Sequence, residues 1–178
     1  TGYDLKSVNI YGGAPYQITG NTSVTVNGGT VSYVYGGGLL SLNGSTNVTI
    51  NNGKIYKVFG GGGDFNGFSA ETIVGTTSVT VNGGTINEVY GGADNNSRVM
   101  SDTFVTVNSG TITNVYGGGD VKSRTSGNTN VNIVGGTITS GVYGSGCYVA
   151  AALGGSCVTV TGGSVPHVYG GGDHHAIS

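Results

Sequence analysis

Acidic residues in this chain stand at a near-constant offset from aromatic rings. Asp94, Asp120 and Asp173 each fall four residues after a tyrosine (Tyr90, Tyr116 and Tyr169), and Asp64 falls five after Phe59. After Tyr143 the same place is taken by Cys147. Carboxylates that a fold stacks side by side repel one another, so they must face water or share a cation. Two chemistries follow. Asp94 and Asp120 could ligate calcium between neighbouring repeats. Alternatively they form an exposed patch with Arg98 and Arg124, each eight residues after its aromatic, and with Lys122 beside them. The exposed patch is the expected arrangement. Asp64, Phe65, Phe68, Arg98, Lys122 and Arg124 all lie in variable segments and are the candidates for contacting a partner.

Other reactive residues form no frame. Cys147 and Cys157 are ten residues apart, compatible with a local disulfide or with two reduced thiols. No C-x-x-C spacing supports a metal or redox site. His174 and His175 are adjacent, and neighbours on a strand point to opposite faces, which disfavours joint chelation. A polysaccharide-cleaving enzyme needs clustered carboxylates with Lys, Arg or a metal. Here eight acidic residues are scattered over 178 positions, with no nucleophile elbow. No catalytic residue and no cofactor are expected.

The elements that would position these residues are written in a repeat. Val34-Tyr35-Gly36-Gly37-Gly38 returns as Val58-Phe59-Gly60-Gly61-Gly62 and as Val89-Tyr90-Gly91-Gly92. It returns again at Tyr116, Tyr143 and Tyr169, and Ile10-Tyr11-Gly12-Gly13 opens the series. The steps between aromatics are 24, 24, 31, 26, 27 and 26 residues. A short unit repeated this often stacks into coils rather than closing round one cleft. Before each phrase, Val24-Thr25-Val26 and its equivalents alternate apolar and polar, the period of a half-buried strand. A Gly-Gly or Asn-Gly pair then turns the chain, and one residue of the pair needs positive φ. A second strand starts at Thr30-Val31 and bends at the column Ser32, Tyr56, Asn87, Thr113, Thr139, where Pro166 cannot donate to a ladder. A variable arc with a third short strand completes the coil. Only Ala150-Ala151-Ala152-Leu153 has the composition for a turn of helix.

The expected fold is all-β: a single-stranded parallel β-solenoid, right-handed by the crossover rule. It has about seven coils of 24–31 residues and forms one domain over residues 1–178. Val24, Val26, Val31 and Val34 face inward, and each rests on its equivalent in the coils above and below. Asn27, Asn51, Asn82 and Asn108 form an amide ladder. Tyr35, Phe59, Tyr90, Tyr116, Tyr143 and Tyr169 form an aromatic one. An outward Thr column (Thr25, Thr49, Thr80, Thr106, Thr159) has the look of an ice-binding face, although its flanking column is irregular.

Charged residues make up 8% of the chain, against about 25% in an ordinary domain, and the net charge is −2. No run of cations tracks a phosphate backbone, so nucleic acid is not an expected partner. No apolar run reaches the roughly 20 residues of a membrane-spanning helix. The Thr, Ser, Asn and Gly surface points to an extracellular setting. The chain opens on Thr1 rather than Met, as a mature product or a segment would.

From Val8 to Asp173 the strand-Gly-Gly-Thr-Val-x-x-Val-Tyr-Gly-Gly-Gly unit resembles repeat modules of bacterial cell-surface, adhesin-like parallel β-helix proteins. The resemblance implies surface display, with spacing or adhesion rather than catalysis. The partner would be a glycan or protein on a host or cell surface. Uncapped coil ends suggest a second role, self-stacking head to tail into a filament. A glycan-binding solenoid is a third.

Overall fold

The structure, a computed structural model, describes residues 8–63 and 72–173. All regular structure among these residues is β. The strands begin β1 (Asn9–Tyr11), β2 (Ile18–Thr19), β3 (Thr22–Val26), β4 (Thr30–Tyr35), β5 (Leu42–Asn43) and β6 (Thr46–Ile50). They continue β7 (Lys54–Phe59), β8 (Thr72–Ile73), β9 (Thr77–Val81), β10 (Thr85–Tyr90), β11 (Arg98–Val99) and β12 (Thr103–Val107). The series ends β13 (Thr111–Tyr116), β14 (Arg124–Thr125), β15 (Thr129–Ile133), β16 (Thr137–Tyr143), β17 (Ala151–Ala152), β18 (Ser156–Val160) and β19 (Val168–Tyr169).

Every third strand pairs in parallel, so the chain winds through three sheets in about six turns. The aromatic sheet runs β1-β4-β7-β10-β13-β16-β19. The arc sheet runs β2-β5-β8-β11-β14-β17, and the threonine sheet β3-β6-β9-β12-β15-β18. This is the expected parallel β-solenoid. The register follows the sequence repeat: Tyr35 pairs with Phe59, Phe59 with Tyr90, and Tyr90 with Tyr116.

Local chemistry explains each corner. In each turn the second residue of the Gly-Gly, Asn-Gly or Ser-Gly pair has positive φ, from 81° at Gly163 to 132° at Gly53, where glycine alone is unstrained. Along β4, Val31 and Val34 are buried while Ser32 and Tyr33 between them are half-exposed, so the inward spacing changes from two to three. The ladder skips Ser32 and Tyr56 at this bend. In β16 the same place carries a bulge opposite Ile112 and Asn114.

The main core holds twenty buried Val and Ile residues, four from each of five successive coils. They are the columns headed by Val24, Val26, Val31 and Val34. A smaller cluster under the arc sheet joins Leu42, Ile73, Ala93 and Val99. Ala151 and Ala152 are strand β17, not a helical turn, because pairing with Arg124 and Thr125 continues the stack and overrides alanine's helix preference.

A second internal ladder was not foreseen from the sequence. Thr46, Thr77, Thr103 and Thr129 open their strands facing inward, and all are buried. Each hydroxyl donates to a glycine carbonyl of the same coil: Thr46 to Gly60, Thr77 to Gly91, Thr103 to Gly117 and Thr129 to Gly144, at 2.5–2.6 Å. The bond ties the start of the threonine sheet to the end of the aromatic sheet across the coil. The glycines are required there, since a Cβ on Gly91 would overlap the Gly117 carbonyl oxygen of the next coil.

Candidate functional site

The glycine run after each aromatic folds the arc back over the ring. A Cβ on Gly63 would press into the Tyr35 ring, so close approach there needs glycine. Three arcs then make the same four-residue turn. Asn95 and Asn96 have φ of 41° and 57°, and Val121 and Lys122 have 29° and 58°. Tyr148 and Val149 repeat the turn at 47° and 62°. Each is closed by a hydrogen bond of 3.2 Å, from Ser97 N to Asp94 O, Ser123 N to Asp120 O and Ala150 N to Cys147 O. Two successive positive φ values define a type I′ turn, which Asn suits and which is strained for Val. The turns stack, with Asn96 N donating to Val121 O and Lys122 N to Tyr148 O.

This turn sorts the charges. Its first residue (Asp94, Asp120 or Cys147) points under the arc toward the aromatic ladder. Its third (Asn96, Lys122 or Val149) lines the outside. The exposed Asp–Arg patch expected from the sequence therefore does not form: Asp94 and Asp120 are buried at 8% and 2% exposure, whereas Arg98 and Arg124 stay in solvent. Offset counting could not separate the two faces because it did not reveal the left-handed turn between them.

On the inner side lies a polar–aromatic seam. Seven rings from Tyr11 to Tyr169 stack at centroid spacings of 4.7–5.1 Å and interplanar angles of 7–13°. Lys57 Nζ lies 2.8 Å from both Glu88 Oε2 and Asp120 Oδ2. Tyr90 OH donates to Glu88 at 3.1 Å, and Tyr35 OH to Asp94 Oδ2 at 3.3 Å. Lys57 Nζ also sits 5.4 Å from the centre of the Tyr90 ring. Burial pushes the lysine toward neutrality, but the hydrogen bonds it donates to Asp120 and Glu88 outweigh it, so Lys57 is held above its usual value as a fixed cation. Burial, reinforced by the charge of Asp120, pushes Asp94 up to about 6. Burial likewise raises Tyr35, Tyr90 and Tyr116, and takes Cys147 up to about 11.

Lys57, bridging Glu88 and Asp120, places a cation beside Asp120, where calcium between Asp94 and Asp120 was the alternative to an exposed patch. No three His, Cys, Asp or Glu side chains among the described residues are grouped to hold a metal. Lys57 and Glu88 were missed, yet a signal existed: each stands two residues before its aromatic, so stacking sets them side by side. A cleft of about 200 Å³ between Asn9, Tyr33, Tyr35, Asp94 and Asn95 opens on the seam. Asp94 is the group there poised to exchange a proton near neutral pH. Its neighbour Asp120 is committed to Lys57.

On the outer side lies a basic cleft of about 600 Å³. Arg98 and Arg124 are directly paired in register on β11 and β14, and Lys122 and Asn96 form one wall.

The remaining sequence candidates are dispersed. The amide ladder forms as expected, with Asn51, Asn82 and Asn108 each donating to the preceding Asn at 2.7–2.9 Å. Cys147 is buried beside Tyr116, and Cys157 is exposed on the outer face of β18. Both are free thiols, so the disulfide alternative is not formed; the two side chains belong to different faces of the coil. Asp64, Phe65, Phe68, His174 and His175 lie outside the described residues. Comparison with known protein families, with curated proteins and with solved structures finds no match.

Proposed function

We propose that this chain is a non-catalytic structural and adhesive module of an extracellular, cell-surface protein. It acts as a rigid stalk that holds its variable arcs in a fixed array for binding, as its resemblance to adhesin-like repeat modules implies. One observation carries the reading: the charges of Lys57, Glu88 and Asp120 are taken up by one another across successive coils. Lys57 spans two carboxylates at 2.8 Å, and the Asp120 side chain is 3% exposed, closed to a substrate. What differs from coil to coil on the outside is the arc. The outward Thr column (Thr25, Thr49, Thr80, Thr106, Thr159) has the β-branched composition that suits any exposed strand.

The test is binding of the purified chain to an array of neutral and acidic glycans and to coated surfaces. Retention on a defined glycan or surface is the expected result. If it is retained on none while its β-sheet circular dichroism is intact, the adhesive role fails and only the spacer remains.

A second reading, head-to-tail self-stacking, is favoured by the last described coil. Its apolar cross-section is open, with Val160, Val168 and Tyr169 at 43%, 49% and 47% exposure. Sedimentation velocity over a concentration series separates the two readings. A self-stacking chain grows with concentration and stops growing in the V160D/V168D variant.

A further inference from the structure

The basic cleft on the arc sheet is a site that the adhesive reading leaves without a ligand. Arg98 and Arg124 stand directly opposite one another on neighbouring strands, one strand spacing of about 4.8 Å apart. Like charges in such a pair destabilise a sheet. Lys122 adds a third cation to the same cleft. Six Lys and Arg residues occur in the whole chain, so half of them converge here. The only salt bridges among the described residues are those of Lys57, leaving these three without a carboxylate partner. The turn that delivers Lys122 holds Val121 in the left-handed region, a strained arrangement that keeps Asp120 away from the arginines.

We infer that this cleft binds an acidic glycan through its carboxylate or sulfate groups, an inference that rests on reading the arcs as the adhesive surface. Guanidinium forks match the flat carboxylate and the sulfate edge with paired hydrogen bonds. The repeat of the arginines along the axis suits a ligand whose charges are spaced rather than continuous. Asn96 and Thr72 offer hydrogen bonds to hydroxyls, and Val149 and Ala151 offer an apolar floor for a sugar's C–H face. Single-stranded nucleic acid fits less well. No aromatic side chain lines the cleft for base stacking.

The experiment is affinity chromatography and calorimetry of the full chain with four probes: polygalacturonate, sulfated dextran, neutral dextran and single-stranded DNA. Each is run at low and high salt. We expect salt-sensitive binding to one or both acidic glycans and none to neutral dextran. R98A/R124A should weaken it at least tenfold, and R98K/R124K should weaken it by less, since charge is kept but the paired geometry is lost. Both side chains are exposed, so unchanged circular dichroism will show that the variants fold. Polygalacturonate against sulfated dextran identifies carboxylate or sulfate as the recognised group. Binding to an acidic glycan that R98A/R124A leaves intact overturns the site but keeps the adhesive reading. Binding only to neutral dextran does the same. Tighter binding to DNA than to either acidic glycan overturns the ligand class.

Discussion

Asp94 shows what one arc residue does when its turn points it inward. Its folded value of about 6 lies above the ordinary 3.8, so the folded chain holds the proton more tightly than the unfolded chain does. The stabilisation this gives is complete below about pH 4 and is lost as pH rises through about 6. A shift of about two units corresponds to roughly 3 kcal/mol at most. Asp94→Asn removes the titration while keeping an acceptor for the Tyr35 hydroxyl. Thermal unfolding at pH 8 should therefore give a higher midpoint for the variant than for the parent, and the two should converge at pH 4. A variant that is less stable at both pH values would mean that the ionised carboxylate supports the fold. Lys57 makes the opposite case. With the buried Asp120 and the half-buried Glu88 left without their cation, Lys57→Met should cost up to about 3–5 kcal/mol, read from the urea midpoint at pH 7.

At the scale of the element, the inward threonines and the glycines opposite them act as one device. Each hydroxyl satisfies a buried carbonyl that no strand reaches. Thr77→Val keeps the shape and deletes the bond, so it should destabilise the chain by about 1–3 kcal/mol in denaturant titration. The outward Thr80→Val on the same strand should change little. The strands carrying these residues were plain in the sequence. Val-Thr-Val alternation, a Gly-Gly turn and a β-branched run each specify a local conformation, and the repeat aligns them without any knowledge of contacts. The arcs were opaque for a physical reason. Asn95-Asn96, Val121-Lys122 and Tyr148-Val149 share a left-handed turn but no composition, because neighbouring turns hold one another by backbone hydrogen bonds. With that turn hidden, Asp94 and Arg98 looked like partners. The inward threonines were not singled out, although Thr46 shares its parity with Val48 and Ile50, which puts all three on one face.

For the whole molecule, stability is a sum over neighbouring coils. A residue in a middle coil has an equivalent on both sides, and one in the last described coil has an equivalent on one. Ile133 and Val160 occupy the same column in adjacent strands, yet Ile133 is fully buried and Val160 is 43% exposed. Ile133→Ala should cost about 2–5 kcal/mol, whereas Val160→Ala should stay within about 0.5 kcal/mol. Equal costs, measured by calorimetry, would mean that something covers the last coil in solution, as self-stacking requires.

The ring ladder also has an optical consequence. The chain has no Trp, so excitation absorbed by a tyrosine has no indole to drain into. Parallel rings at 4.7–5.1 Å couple their transitions, and excitation hops along the axis. Phe59, whose excited state lies higher, is the weak link, setting the coupled rings of Tyr35 and Tyr90 two spacings apart. The solenoid is in this sense a short path for light along its axis. Phe59→Tyr would make every coupling in the ladder of one kind.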